Sequence, residues 1–135
     1  MARPVLIFAA LIALLSSCSM DTPETDSAVT HFHAQLNDDH LAEIYDASAD
    51  ELKQASTQKD FVEFLTAVHR KLGVSKSSEQ QSWNVNYGVN GKFVTVVYNT
   101  TYANGPAAEQ FVFRIRNDAA LLAGYHINSK TLVLN

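Results

Sequence analysis

Cysteine, clusters of basic residues and long apolar runs are all scarce in this sequence. One cysteine among 135 residues excludes a disulfide within the chain. Ten Lys and Arg residues are scattered among 14 acidic residues, which argues against nucleic acid or anionic lipid headgroups as electrostatic partners. The longest apolar run, residues 5–15, has eleven residues, whereas a membrane-spanning helix needs about twenty. We therefore expect one small domain without a disulfide framework or a spanning helix.

The single cysteine stands at the end of that apolar run, in the order Leu-Ser-Ser-Cys at residues 15–18. Arg3 supplies a positive n-region, residues 5–15 an h-region, and the two serines are small residues that a signal peptidase accepts. The stretch resembles a bacterial lipobox, whose cysteine is lipidated on sulfur and becomes the first residue of the mature protein. The resemblance implies that residues 1–17 are removed and that acyl chains on Cys18 attach the protein to a membrane.

The same signal leaves two alternatives open. Cleavage after Ser19 would instead release an ordinary secreted protein. If Cys18 is lipidated, a Gram-negative host would place the protein in the outer membrane facing the periplasm, because residue 19 is Ser rather than the retention signal Asp. A Gram-positive host would place it on the outer face of the cell membrane.

After cleavage the chain divides into a short tether, residues 18–22, and a single domain, residues 23–135. With Arg3 removed, nine basic residues oppose 14 acidic ones, and the net charge is 9 − 14 = −5. Three or four extended tether residues reach only about 12 Å. We therefore expect the domain to lie close to the bilayer.

Capping signals and apolar spacing predict three helices in the first part of the domain. The first begins with Thr22 as N-cap and Pro23 at N1, and a second short helix follows residues 37–39. The strongest begins after Thr57 and ends at Gly73. Ser48 and Glu51 form a capping-box pattern between the second and the strongest helix. The predicted buried faces of the three helices contain Ala28, Val29, Phe32, Leu36, Leu41, Ile44, Tyr45, Phe61, Phe64, Leu65, Val68 and Leu72.

After Gly73 the apolar period changes to two residues. Turn dipeptides at residues 90–91, 104–105 and 117–118 separate four predicted antiparallel strands. The pattern predicts an α+β fold in which three helices pack on one face of a curved four-stranded antiparallel sheet. The side chains expected on the inward face are Trp83, Val85, Tyr87, Val94, Val96, Tyr98, Tyr102, Phe111, Phe113, Ile115, Leu121, Ala123, Tyr125 and Ile127.

Three stretches carry a family resemblance: residues 61–73, residues 96–103 (Val-Val-Tyr-Asn-Thr-Thr-Tyr-Ala) and residues 122–127 (Leu-Ala-Gly-Tyr-His-Ile). They resemble small bacterial proteins classified as domains of unknown function, and the nuclear-transport-factor-2-like or cystatin-like cone. The similarity extends over residues 39–128. It implies a cone-shaped fold but no reaction, and this sequence has Asp-Ala-Ala-Leu at residues 118–121 where members have Asp-Gly and an aromatic residue.

Two carboxylates are candidates for catalysis. Enzymes with a related cone, similar to ketosteroid isomerase, hold a carboxylate in an apolar pocket where burial raises its pKa. Glu109 is in phase with the inward residues of its strand, and Asp46 follows Tyr45 at the end of a helix. An isomerase or dehydratase using Glu109 or Asp46 together with Tyr98 is therefore the alternative function.

The leading prediction is a non-enzymatic envelope lipoprotein that binds an envelope protein or a small apolar ligand at the membrane surface. Tyr87, Tyr98, Tyr102 and Tyr125 are the candidate ligand-binding residues, since aromatic side chains with phenol groups can line and orient a pocket. The polar outer face of the sheet, which includes an outward His126, is a possible homodimer surface.

We predict neither a metal site nor a cofactor. His31 and His33 are two residues apart on a helix, so they point in different directions, and we expect both to be exposed.

Overall fold

A computed structural model describes residues 23–134 of the chain. The predicted signal peptide, the lipidation of Cys18, the tether and the Thr22 cap lie outside the described residues. Between residues 23 and 134, no helix is long and apolar enough to cross a membrane. In chain order the elements are α1 (Pro23–Asn37), α2 (Leu41–Asp46), α3 (Asp50–Ala55), α4 (Gln58–Leu72), β1 (Ser75–Gly88), β2 (Gly91–Tyr102), β3 (Gly105–Arg116), β4 (Ala119–Asn128) and α5 (Lys130–Leu134).

The four strands form one open antiparallel sheet in the order β1-β2-β3-β4. Two-residue turns connect them, with the closing pairs Gly88 with Gly91, Tyr102 with Gly105, and Arg116 with Ala119. The last turn is at its predicted position, and the first two lie one residue earlier than predicted. In the last turn Asn117 and Asp118 have φ angles of 51° and 60°. Such positive angles suit the right-handed twist of a hairpin and are tolerated best by Asn, Asp and Gly. The predicted α+β class and the sheet are thus confirmed.

The strongest predicted helix, α4, has the caps that its sequence indicates. The Thr57 hydroxyl accepts a hydrogen bond of 3.2 Å from the Asp60 N–H, and Gly73 ends the helix with a φ angle of 75°. A Cβ at Gly73 would lie 3.0 Å from the Ala103 side chain, so a larger residue there meets both backbone strain and a close contact. The buried face of α4, which packs into the core, contains Phe61, Leu65, Val68 and Leu72.

The prediction of three helices is wrong, because four precede the sheet and a fifth follows it within residues 23–134. Ser48 does not cap α3: its hydroxyl donates to the Ile44 carbonyl at 2.7 Å, and Ala49 occupies the N-cap position. The Ala49 N–H donates to the Leu122 carbonyl at 2.9 Å. This contact holds the junction between α2 and α3 against β4, so the two short helices cannot join.

Two strands differ from their predicted patterns. β1 begins at Ser75, in a polar stretch without apolar alternation, and its predicted inward residues Trp83 and Tyr87 are 40% and 75% exposed. In β4 a bulge between Gly124 and Leu122 leaves Ala123 unpaired. Leu122 is therefore buried instead of Leu121 and Ala123, which the alternation predicts to face inward. A bulge inserts one residue and reverses the faces beyond it, which an alternation pattern cannot predict.

Candidate functional site

His33 lies on the buried face of α1, which corrects the expectation that it is exposed. Val29, Phe32 and Leu36 form the apolar part of that face, and His33 lies four residues after Val29 and three before Leu36. Its residue exposure is 7%. This spacing is the signal that sequence reasoning missed, because positions i, i+4 and i+7 share one helix face.

Glu109 is the partner of His33 and has no exposed surface. The alternation of β3 points its side chain inward, as predicted. Glu109 Oε1 lies 2.8 Å from His33 Nε2, while Oε2 accepts hydrogen bonds from the phenols of Tyr102 at 2.8 Å and Tyr125 at 2.5 Å. A buried carboxylate requires such donors, since an unpaired charge in the core is strongly destabilising. Both oxygens are therefore occupied within the core.

The surroundings of Glu109 favour its ionised form. Burial by itself raises the pKa of the carboxyl, but the hydrogen bond and electrostatic attraction of the His33 ring, with hydrogen bonds from Thr100 and Tyr125, outweigh it. The net result is a pKa below the ordinary value of 4.5. Burial and the nearby negative charge of Glu109 raise the pKa values of Tyr102 and Tyr125, so both phenols stay neutral as donors. The pKa of Glu109 is lowered, whereas a carboxyl that serves as a general acid has a raised pKa.

The first residues of β1 connect this buried group to the surface. Ser78 Oγ lies 3.3 Å from His33 Nδ1 and 3.1 Å from Thr100 Oγ1. The Asn37 side chain accepts from the Ser75 N–H at 2.9 Å and donates to the Ser75 carbonyl at 3.3 Å. These contacts hold the C-terminal half of α1 alongside β1, which is an edge strand of the sheet.

Between α1 and the beginning of β1 lies an open cleft of about 460 Å³. Tyr98 reaches its floor, and the Tyr98 phenol donates to Asp26 Oδ1 on the opposite wall at 2.5 Å. We call this the α1–β1 cleft. Its lining residues are Asp26, Val29, Thr30, His33, Ser75, Lys76, Ser77, Ser78, Gln80 and Tyr98, and all but Val29 carry a polar group.

The structure brings three of the four candidate tyrosines to this region and excludes the fourth. Tyr98 lines the cleft, whereas Tyr102 and Tyr125 are buried behind it with their phenols on Glu109. Tyr87 projects into solvent near the tip of the β1–β2 hairpin, so the prediction that it lines a pocket with the others is wrong.

Neither candidate carboxylate lines the cleft. Glu109 lies behind His33, and the exposed Asp46 side chain accepts a hydrogen bond of 2.8 Å from the Gln58 amide. Over residues 23–134 there is no group of three or more His, Cys, Asp or Glu side chains that could hold a metal ion. The groups placed for chemistry in the cleft are therefore hydroxyls, the His33 ring, the Lys76 ammonium, the Asp26 carboxylate and the Gln80 amide.

Comparison with known proteins supports the fold and leaves the reaction open. Residues 28–125 match a family described as a protein of unknown function, DUF4019. The structure of Aln2 from a Streptomyces species is similar, with a TM-score of 0.50 and 9% sequence identity over 83% of this chain and 92% of that one. At this identity the likeness shows a shared cone-like α+β fold alone. No curated protein matches the sequence.

Proposed function

We propose that this chain, which belongs to the DUF4019 family of proteins of unknown function, is a lipid-anchored cell-envelope protein that binds a polar ligand in the α1–β1 cleft. The observation that carries the binding function is the cleft, with about 460 Å³ of open space and nine of its ten lining residues carrying a polar group. Sites for small molecules are concave and place a few polar groups for orientation.

The interior of the cone does not offer a comparable site. Phe111 and Phe113 stack with their ring centroids 5.9 Å apart, and both are almost fully buried. Phe32 and Tyr125 contact Phe111 with centroid distances of 5.1 Å each. Aromatic rings therefore fill most of the interior, and the apolar pocket beside Phe32, Phe113 and Leu122 has only about 120 Å³. This favours a polar ligand in the larger cleft over an apolar ligand in the cone.

The anchor part of the proposal rests on the Leu-Ser-Ser-Cys stretch at residues 15–18. In a Gram-negative host, Ser rather than Asp at residue 19 supports the outer membrane facing the periplasm as its location. Replacing Cys18 with Ala removes the acceptor sulfur. We expect the variant to leave the membrane fraction of bacterial cells, while Ser27→Ala, an exposed change on α1, leaves fractionation unchanged. If Cys18→Ala stays in the membrane fraction, the anchor is wrong.

The cleft is tested with a photo-crosslinking amino acid at Thr30, and Thr66 serves as a matched control. Both are exposed helix threonines whose hydroxyls donate to the carbonyl four residues earlier, at 3.0 Å and 2.7 Å respectively. Thr30 lines the cleft, whereas Thr66 lies on α4. We expect an adduct in intact cells from position 30 only, weakened by Asp26→Asn. Equal adducts at both positions, or none at position 30, would exclude the cleft as the binding site.

A further inference from the structure

Two side chains of the cleft wall and a carboxylate buried behind them form a continuous hydrogen-bonded series that ends at the surface. Ser78 Oγ lies 3.3 Å from His33 Nδ1, and His33 Nε2 lies 2.8 Å from Glu109 Oε1. Ser78 is half-buried and lines the cleft, His33 is nearly buried, and Glu109 is fully buried. A hydroxyl, an imidazole and a carboxylate in this order are the parts of an activated serine nucleophile, which is recognised by geometry rather than by sequence order.

When His33 is neutral, the hydrogen bonds around Glu109 define which of its two nitrogens carries the proton. The carboxylate can only accept, so Nε2 donates to it and Nδ1 keeps its lone pair toward Ser78. The phenols of Tyr102 and Tyr125 hold the other carboxylate oxygen and prevent the group from turning away. His33 is therefore oriented to accept the hydroxyl proton of Ser78.

The sheet register also places a backbone donor beside Ser78. In the two-residue β2–β3 hairpin the backbone N–H and C=O of the closing residue Tyr102 form hydrogen bonds with β3. The backbone N–H and C=O of Thr100, two residues earlier, point in the same direction. The β1 partner of Thr100 is Ser78, so the Ser78 N–H points away from β2 toward the open edge of the sheet. Ser75, which lies three residues earlier and beyond a register shift of β1, likewise directs its N–H away from β2, because it donates to Asn37 of α1. An N–H at this position can donate to a developing oxyanion.

We propose that the α1–β1 cleft is an acyl-transfer site in which Ser78 is the nucleophile, His33 the general base and Glu109 a positioning residue, acting on esters with a polar acyl or alcohol part. Ser78 Oγ bonds to the acyl carbon while its proton moves to His33 Nδ1 and the carbonyl electron pair moves to oxygen. The C–O bond to the leaving alcohol then breaks as His33 returns the proton to it. Water repeats the sequence on the acyl-serine and releases the acid. This activity goes beyond the proposed binding function and does not depend on the anchor.

The test uses a fluorophosphonate, which phosphonylates activated serines, on the full lipidated protein in detergent micelles. We expect mass spectrometry of peptides to find the adduct on Ser78, with a labelling rate about 100-fold or more above that of any other serine. Ser78→Ala should abolish labelling and the hydrolysis of p-nitrophenyl acetate. The matched control is Ser82→Ala, an exposed serine of the same strand that does not line the cleft, and it should retain both.

Glu109→Gln tests the positioning role at a temperature where circular dichroism shows the variant to be folded. We expect kcat for p-nitrophenyl acetate to fall about 100-fold with KM unchanged, since only the transition state is affected. The proposal is overturned if Ser78 is labelled no faster than Ser82, or if Ser78→Ala hydrolyses the ester as fast as the wild type. Neither result bears on Cys18→Ala fractionation or on crosslinking at Thr30, so failure here is distinguishable from failure of the binding function.

Discussion

Replacing Glu109 with Gln provides the most demanding test of the buried network. The amide keeps the shape of the carboxylate but loses its charge, and its NH₂ group meets either the His33 N–H or the Tyr102 and Tyr125 phenols, which all donate to the carboxylate. A hydrogen bond to a charged group contributes about 1.5–3 kcal/mol, and a buried donor left without an acceptor costs about 1–3 kcal/mol. We expect the free energy of unfolding to fall by about 3 kcal/mol.

Urea unfolding followed by circular dichroism measures this loss. For a domain of this size a change of about 3 kcal/mol lowers the melting temperature by about 12 °C. Glu79→Gln on β1 is the control, because Glu79 is exposed and we expect a change within about 0.5 kcal/mol. If the two variants lose the same free energy, the network around Glu109 contributes no more than a solvated carboxylate.

The same variant gives a pH dependence whose sign follows from the lowered pKa of Glu109. As the pH falls below the ordinary value of 4.5, the unfolded chain binds the proton first, because the folded carboxyl has the lower pKa. The stability due to ionised Glu109 is therefore complete above pH 4.5 and is lost as the pH falls through the lowered pKa. The difference between wild type and Glu109→Gln should shrink in that range, and a constant difference would contradict the reasoning.

Two further predictions concern the aromatic core around the network. Since burial and the charge of Glu109 raise the pKa values of Tyr102 and Tyr125, stability should decline as the pH rises above the ordinary value of 10.0. Two of the five tyrosines should then gain tyrosinate absorbance only when the protein unfolds; ionisation of all five in the folded state would refute this. Phe111→Ala should lower the free energy of unfolding by about 4 kcal/mol, because the ring is fully buried. Phe64→Ala, at a 42% exposed ring, should cost about 1 kcal/mol, and equal losses would contradict the placement of Phe111 at the centre of the core.

Features that depend on a few neighbouring residues could be predicted from the sequence. Thr57 caps α4 through the N–H three residues later, and Gly73 ends that helix in a conformation that favours glycine. Asn117 and Asp118 form a turn because their own backbone preferences allow positive φ angles. Each of these signals acts within one turn of chain, so the rest of the fold does not alter it.

The candidate site could be predicted only in part. Strand alternation places Glu109 on the inward face, but its partner His33 is 76 residues away in sequence. Contact between His33 and Glu109 depends on the direction in which α1 crosses the sheet. The hydrogen bond between Asn37 and Ser75 holds α1 in that direction. Ser78 was missed because residues 75–81 are polar and show no alternation. β1 is an edge strand, so one of its sides is solvated. It forms through pairing with β2 rather than through burial of apolar side chains.

By itself the sequence determined the helix α4 with its caps, the sheet of four antiparallel strands and the inward side of β3, because these depend on local conformation and on residue periodicity. Residues 28–125 also assign the chain to its family. Only the tertiary structure decided that Tyr87 faces solvent, that a bulge at Ala123 buries Leu122, and that His33 meets Glu109 beside an open cleft. These features depend on how helices lie across a sheet and where its register shifts. Both the placement of the helices and the position of the register shift depend on packing between residues that are distant in the chain. Local sequence signals do not encode that packing.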